Sequence, residues 1–199
     1  MSLATFESLP NEILIDIFEK YINGIDLLVA FAYQLNSRID ALIGQCQNLH
    51  FDFTSIHKND FRFCIGLLPA YIDRIEDLTL SEQDAPGQMH AFFSFLPLFN
   101  QFKRLRKLNL QIDSDALNWR QTVATFHSLP NTLIHTISIK LVNFTIEQQL
   151  TILNIVLSTK ILKRIVLDFE INTQKNPWIF PFVASNILHL TINDLYSEP

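Results

Sequence analysis

Apolar residues near the amino end of the chain recur at the spacing of an amphipathic helix. Five of them fall at offsets 0, 1, 4, 5 and 8 along one helical face: Ile13, Leu14, Ile17, Phe18 and Tyr21. Pro10 lies where a helix begins, because proline lacks the N–H that a first turn leaves without a partner. Glu12 follows in that turn, where a negative charge suits the helix dipole. The pattern predicts a helix that begins at Pro10.

Two more short helices are predicted before residue 45. Residues 26–31 form a second amphipathic stretch, and Asn36 is in position to cap a third helix that ends at Gly44. That third helix carries its apolar residues on one side: Ile39, Leu42 and Ile43. Three short helices bury too little surface to be stable alone, so they need a partner surface in this chain or in another.

A different pattern governs the rest of the chain, with an apolar residue, two variable residues, an apolar residue, one variable residue and an apolar residue. Its first positions lie 29, 30, 29, 28 and 25 residues apart. The six copies are Cys46-Leu49-Phe51, Ile75-Leu78-Leu80, Leu105-Leu108-Leu110, Ile134-Ile137-Ile139, Leu162-Ile165-Leu167 and Ile187-Leu190-Ile192. Six apolar triplets at nearly constant spacing predict six strands, because strand alternation turns the fourth and sixth positions inward.

Helix-like stretches separate the triplets, at residues 61–71, 89–102, 119–126, 147–157 and 178–184. A period of 25 to 30 residues with one strand and one helix per unit is typical of leucine-rich solenoids, in which stacking neighbours bury each unit. Parallel strands are then expected on the concave side and helices on the convex side. A compact α/β sheet with βα connections of uniform length is the alternative.

The helical segments resemble an F-box over residues 6–44. The matching segments are Leu9-Pro10, Glu12-Ile13-Leu14, Ile17-Phe18, Asp26-Leu27-Leu28 and Leu35-Asn36-Ser37-Arg38-Ile39. Many F-boxes carry a Trp in the third helix, whereas residues 38–43 contain none. The other interpretation of these helices is a three-helix cap that seals the end of a larger core.

The triplets resemble leucine-rich repeats, with one departure in the turns. That family usually places Asn or Cys three residues after the last triplet position. The corresponding residues here are Thr54, Gln83, Asp113, Val142, Glu170 and Tyr196. We therefore expect the turns to be held differently. Residues 193–199 supply no polar cap for the last repeat, so either they fold back or the solenoid continues further.

Together the two resemblances imply an α/β protein of the F-box and leucine-rich-repeat type, with an adaptor-binding domain at 1–44 and a solenoid at 45–199. Such a protein is a substrate-recognition subunit of an SCF-type ubiquitin ligase, which docks a Skp-type adaptor, and through it a cullin, and holds a protein target. The resemblance assigns eight adaptor-binding residues: Leu9, Pro10, Ile13, Leu14, Ile17, Leu27, Leu28 and Phe31. The alternative function is a non-ligase interaction scaffold whose helices cap the solenoid.

The outward positions of the triplets predict the composition of the concave face. Its central column would be His50, Thr79, Asn109, Ser138, Val166 and Thr191, bordered by columns of mixed charge. A neutral polar strip with charged borders suits a protein or peptide partner. The candidate target-binding residues on this face are Lys107, Asn109, Ser138, Lys140, Arg164 and Asp168.

Composition narrows the classes of function. The chain has a formal net charge of −5, which gives no electrostatic footprint for nucleic acid, and no apolar stretch long enough to cross a bilayer. The basic run at residues 103–107 is interpreted as exposed charge beside a strand, and contact with a partner is the alternative. Cys46 and Cys64 fit buried thiols in the cytoplasm or nucleus, with a lone disulfide left open.

The sequence contains no pattern typical of a catalytic, metal or cofactor site. Its four glycines are scattered, so no phosphate-binding loop is present, and no pair of histidines has the spacing of a metal motif. The acidic residues Glu76, Asp77, Glu82 and Asp84 are interpreted as a solvated rim around one strand end. We therefore expect a protein that binds other proteins, is not an enzyme, and needs no cofactor or metal.

Overall fold

The structure is a computed structural model that describes residues 8–31, 37–83, 86–116, 118–170 and 187–195. These residues form seven α-helices, namely α1 (Asn11–Lys20), α2 (Gly24–Phe31), α3 (Ser37–Ile43), α4 (Lys58–Leu67), α5 (Gln88–Phe95), α6 (Trp119–Phe126) and α7 (Ile146–Leu157). They also form six strands, namely β1 (Leu49–Asp52), β2 (Ile75–Ser81), β3 (Lys107–Asp113), β4 (Thr136–Val142), β5 (Arg164–Glu170) and β6 (His189–Leu195). Pro10 is the N-cap of α1, so this helix begins one residue later than the sequence predicts.

The six strands make one parallel sheet in the order of the sequence, from β1 to β6. From β2 to β6 the register is the one that the triplets predict. Their middle positions lie side by side: Leu78, Leu108, Ile137, Ile165 and Leu190. Each unit therefore adds one strand beside the previous one, as an α/β protein with regular connections requires.

From His50 onward the first strand departs from the predicted register by two residues, and the register is irregular between Leu49 and His50. His50 pairs with Asp77 and Asp52 with Thr79, whereas the triplets place His50 beside Thr79. The predicted central column is therefore wrong at β1, where Asp52 takes the place of His50. A shift of two keeps every side chain on its face, so the apolar pattern alone does not exclude it.

One face of the sheet is buried and the other is open. The inward positions of β1 to β5 are 3% exposed or less, and they join the helices in a single hydrophobic cluster. Leu190 on β6 is 42% exposed, although it occupies the same register position. The outward residues of β2 to β5 are mostly half-exposed; we call this side the open face.

Phenylalanine rings connect neighbouring units beneath the sheet. The ring of Phe53 lies 5.6 Å from that of Phe61 and 6.2 Å from that of Phe92, between centroids. Further along the chain, Phe99 meets Phe93 at 5.9 Å and Phe126 at 6.3 Å. Edge-to-face and stacked rings at this spacing add to the burial of apolar area. The abundance of phenylalanine thus reflects a continuous core.

The helices between the strands lie close to the predicted positions. The stretch predicted at 89–102 is divided, because α5 ends at Phe95 before Pro97 and a short 3-10 turn follows at Phe99–Gln101. Proline cannot donate a backbone hydrogen bond inside a helix. The stretch predicted at 178–184 lies outside the described residues.

Buried polar side chains hold the turns after β1 and β2. Glu82 is 5% exposed, and its carboxylate accepts hydrogen bonds from the N–H groups of Gly87 and Met89, each at 2.6 Å. The Gln88 side chain donates to the Phe53 carbonyl at 3.0 Å. In the turns after β1 and β2 these contacts agree with the expectation that residues other than Asn or Cys hold the turn, whereas the turn after β5 lies outside the described residues. The prediction that Glu82 lies on a solvated rim is wrong, because these backbone donors draw it into the turn.

The amino-terminal helices pack against the free edge of β1 through specific polar contacts. The Asn23 amide donates to the Asp52 carbonyl at 3.0 Å and accepts from the Asp52 N–H at 3.1 Å. Glu19 accepts hydrogen bonds from the N–H groups of Gln47 and Asn48. These bonds fix the backbone just before and within β1, which accounts for the shifted register of this strand.

Candidate partner-binding surfaces

Helix α1 has a buried face and an exposed apolar face. Leu14 and Phe18 are fully buried against the core, whereas Ile13 is 49% exposed and Tyr21 is 78% exposed. Pro10 is exposed and Ile17 is half-buried on the same side as Ile13, because these positions recur at helical spacing. We call Pro10, Ile13, Ile17 and Tyr21 the α1 strip. It is an apolar surface that the described part of this chain leaves accessible.

Burial narrows the set of adaptor-binding residues that the F-box resemblance assigns. Leu14, Leu27 and Leu28 are fully buried by this chain, so their side chains are not available to a partner on the folded surface. Phe31 is half-buried and packs on Phe18, with 6.1 Å between ring centroids. The accessible members are Leu9, Pro10, Ile13 and Ile17, with Leu9 half-buried.

Helix α3 supports the start of α1 without a tryptophan. The Arg38 guanidinium donates to the Leu9 carbonyl at 2.7 Å and to the Asn11 side-chain oxygen at 2.7 and 3.0 Å. The apolar side predicted for this helix is confirmed, because Ile39 and Leu42 are buried. Arg38 thus positions the first turn of α1, where the α1 strip begins.

The open face brings the six candidate target-binding residues together on three neighbouring strands. Lys107 and Arg164 share one row with Thr136 between them, and Asn109 lies beside Ser138 in the next. Lys140 pairs in register with Asp168 in the third row. The block β3–β4–β5 therefore presents a polar surface of mixed charge, with Lys107 and Arg164 at the amino ends of their strands and Lys140 further along β4.

A cluster of ionisable side chains, Asp77, Lys107 and His50, lies where the open face meets the amino-terminal helices. The Asp77 carboxylate is 3.6 Å from the Lys107 ammonium and 3.9 Å from Nδ1 of His50. Both contacts use Oδ2, and Oδ1 of Asp77 is buried without a hydrogen-bond partner in the described part of the chain. A cavity of about 400 Å³ opens here, lined on the helical side by Lys20, Tyr21, Ile22 and Asn23. It joins the end of the α1 strip to the open face.

Sequence reasoning did not find the helical wall of this cavity. The cavity exists because the loop after α1 packs on β1, which is a long-range contact without a local signature. One local feature could have indicated this contact: Asn23 lies just before a helix, and its side chain carries both a hydrogen-bond donor and an acceptor.

The structure gives no arrangement suited to metal ligation in the residues it describes, since no group of three His, Cys, Asp or Glu side chains converges there. Cys46 and Cys64 are both buried, as the sequence predicts, and both are free, so the disulfide that the sequence leaves open is not formed. Burial raises the pKa of Cys46 to about 11 and that of Cys64 to about 12. Both groups are therefore neutral thiols at physiological pH, whereas the reactive form of cysteine is the thiolate.

Comparison with known proteins gives the chain no relative: no protein-family model matches it, and no curated protein matches it. Among the described residues, no helix has the length and apolar character needed to cross a membrane. The class that the fold itself defines is an α/β protein with a six-stranded parallel sheet.

Proposed function

We propose that this chain is a substrate-recognition subunit of an SCF-type ubiquitin ligase. The α1 strip would dock a Skp-type adaptor, and through it a cullin, while the open face would hold a protein target. The observation that supports the adaptor site is the exposure of Ile13 and Tyr21 on a helix whose opposite face is sealed. The Leu-Pro-x-Glu segment of the F-box resemblance leads into this helix.

The sheet supports the second half of the proposal, a leucine-rich-repeat solenoid. Its strands follow one another in sequence order, and within the described residues the helices cover only one face of the sheet. Parallel sheets of compact α/β proteins are usually covered on both faces. An open polar face in a sequential parallel sheet is instead what a stack of strand–helix units leaves for binding.

The mechanism would be one of position, with no bond made or broken by this chain. A target held on the open face lies at a fixed distance from whatever the α1 strip docks. Tethering raises the effective concentration of the target at a conjugating enzyme and restricts its orientation. The buried thiols fit a reducing compartment, so we place the protein in the cytoplasm or nucleus.

Co-purification with a Skp-type adaptor tests the adaptor site. We expect Ile13→Ser to weaken the complex by about tenfold or more, because an apolar anchor in a protein interface is worth ~1–3 kcal/mol. Phe95→Ser is the matched control, since Phe95 is 64% exposed on α5, away from the α1 strip. Binding is measured by titration with purified adaptor.

Two results would contradict the adaptor assignment. Failure of the wild-type chain to bind any Skp-type adaptor would remove the ligase proposal. Equal weakening by Ile13→Ser and Phe95→Ser would show that binding does not depend on the α1 strip. Leu14→Ala is unsuitable for this purpose, because a fully buried leucine affects folding first.

The second candidate function is an interaction scaffold whose helices serve only as a cap. The bonds from Glu19 and Asn23 to the β1 backbone support a capping role, and so does the close packing of Gly24 on Phe51. A Cβ added at Gly24 would lie 2.6 Å from the Phe51 ring, so this approach needs a residue without a side chain.

Deleting residues 1–44 separates capping from a free-standing docking unit. We expect the remaining chain to lose its cooperative thermal transition, since the deletion uncovers Leu49 and Phe51 on β1. Circular dichroism and size-exclusion chromatography provide the readout. A soluble, cooperatively folded product would mean that the helices are not a cap.

A further inference from the structure

Positive charge is concentrated at the amino ends of the central strands. Arg106 directly precedes β3 and Lys107 begins it, while Lys163 and Arg164 occupy the same places at β5. His135 precedes β4 between them. We call these five residues the basic edge. The opposite edge is acidic, since Asp52, Glu82, Asp113 and Asp115 lie at the carboxyl ends of their strands. Glu76 and Asp77 lie at the amino end of β2 beside this edge, so the positive charge is confined to the strands from β3 to β5.

Backbone hydrogen bonds fix the spacing of the basic edge. The N–H of His135 donates to the Arg106 carbonyl, and the N–H of Lys163 donates to the His135 carbonyl, each at about 3.0 Å. Arg106, His135 and Lys163 therefore stand in one row on adjacent strands. Neighbouring strands lie roughly 5 Å apart, so the two outer cations of the row are anchored about 10 Å from each other.

Three cations of this edge lack an ionic partner within the described residues. Lys107 is paired with Asp77, and Lys103 nearby is paired with Asp73 at 2.8 Å. Arg106, Lys163 and Arg164 form no ion pair with any residue that the structure describes. Lys163 and Arg164 are also exposed to solvent, so a ligand can reach them.

The environment of His135 reflects the same excess of positive charge. Its pKa is lowered, first by burial and then by Arg106 and Lys163, with Lys107 acting in the same direction and Glu76 opposing it. The imidazole thus senses cations from both neighbouring strands. An anion bound along the row would reverse this effect and raise the pKa.

We propose that the basic edge binds an acidic peptide segment of a protein partner. An extended peptide advances about 3.3 Å per residue, so carboxylates three positions apart match the spacing between Arg106 and Lys163. Three unpaired cations suit two or three carboxylates. They are too few for a nucleic acid, because proteins that bind nucleic acids with a strong salt dependence typically neutralise six or more phosphates. The acidic surface elsewhere on the chain would also repel so long a polyanion.

This inference rests on the proposed function only in assigning the acidic segment to the target. The two proposals use different surfaces and fail separately. Loss of adaptor binding would concern the α1 strip, whereas peptide binding at the basic edge can be measured with the chain alone.

Fluorescence anisotropy with a labelled hexaglutamate peptide at low ionic strength tests the basic edge. We expect the triple substitution Arg106→Gln, Lys163→Gln and Arg164→Gln to weaken peptide binding by about tenfold, because each exposed charge pair contributes only a part of such a change. The control triple is Lys58→Gln, Arg62→Gln and Arg120→Gln, which changes the net charge equally on exposed helical positions. In the wild type, the NMR-measured pKa of His135 should rise when the peptide is added.

Three results would overturn the inference. The first is a failure of the peptide to bind the wild-type chain at low ionic strength, and the second is a control triple that weakens peptide binding as much as the edge triple does. The third is a single-stranded oligonucleotide that binds the basic edge more tightly than the peptide does. Because a loss of folding would also abolish binding, both triples are first compared with the wild type by thermal unfolding.

Discussion

The two outer strands of the sheet carry the same apolar pattern but differ in burial. On β1, Leu49 and Phe51 are each 1% exposed, whereas Leu190 on β6 is 42% exposed. Helices α1 and α2 pack against β1, and Asn23 in the loop between them bonds to its backbone edge. An apolar triplet on a strand therefore determines the direction in which its side chains point. Whether those side chains are covered depends on what packs beside them.

The different neighbours of the strands also explain why β1 departs from the register that the triplets predict. From β2 to β6 each strand takes its position from an equivalent neighbour, so the spacing of the triplets carries through. At β1 the neighbours are a strand on one side and helices on the other. Glu19 and Asn23 bind specific backbone groups of Asn48 and Asp52, and these bonds select one of the registers that the apolar pattern allows.

The largest predicted effect compares one substitution on the two outer strands. We expect Leu49→Ala to lower the free energy of unfolding by about 2–5 kcal/mol, because it leaves a cavity in a sealed core. Leu190→Ala should cost about 1 kcal/mol or less, since part of its side chain is already in water. Urea denaturation of both variants provides the measurement. Equal losses would mean that β6 is covered as completely as β1.

A smaller effect is expected from the polar contact at the edge of β1. Asn23→Ala removes a donor and an acceptor from the Asp52 backbone, so we expect a loss of about 1–2 kcal/mol. Asn131→Ala is the control, since Asn131 is exposed in a turn before β4. Thermal or urea unfolding distinguishes the two. If both variants match the wild type, the Asn23 contact contributes nothing to the cap.

The smallest effect concerns the turn at the end of β2. Burial raises the pKa of Glu82, although the N–H groups of Met89 and Gly87 oppose the shift. The folded state therefore holds this proton to a higher pH than the unfolded state. Stability should fall as the pH rises from the ordinary carboxyl pKa through the raised one, and change little above it.

Glu82→Gln should remove this contribution to the pH dependence, while Glu147→Gln, at an exposed position of α7, should leave it unchanged. The free energy of unfolding, measured by urea at several pH values between about 4 and 7, gives the comparison with wild type. An unchanged pH profile in Glu82→Gln would show that another group causes the slope.

Most of the fold was predictable because it depends on apolar spacing. The triplets gave the register of Leu78, Leu108 and Ile137 correctly, since equivalent residues must lie side by side to share one core. The burial of Glu82 was not predictable, because it depends on two backbone donors that only the folded turn brings together. The register shift of β1 was not predictable either, because it depends on hydrogen bonds from Glu19 and Asn23 that only the folded chain brings together.

The candidate surfaces were predictable in position but not in accessibility. The helical spacing placed Ile13 and Leu14 on one apolar face. An amphipathic pattern does not determine which part of that face is buried in the core and which part is exposed to solvent. The structure buries Leu14 and leaves Ile13 half-exposed. Adjacent positions on a helix point about 100° apart, so one partner surface rarely includes both.

Asn23 has a consequence for encounters between molecules in solution. An unoccupied strand edge offers a row of backbone groups on which another polypeptide can add a strand, and such growth leads to aggregates. By occupying both the N–H and the carbonyl of Asp52, this one amide removes a docking point for unwanted strand addition. A chain that loses it should precipitate at lower concentration even while its monomers remain folded.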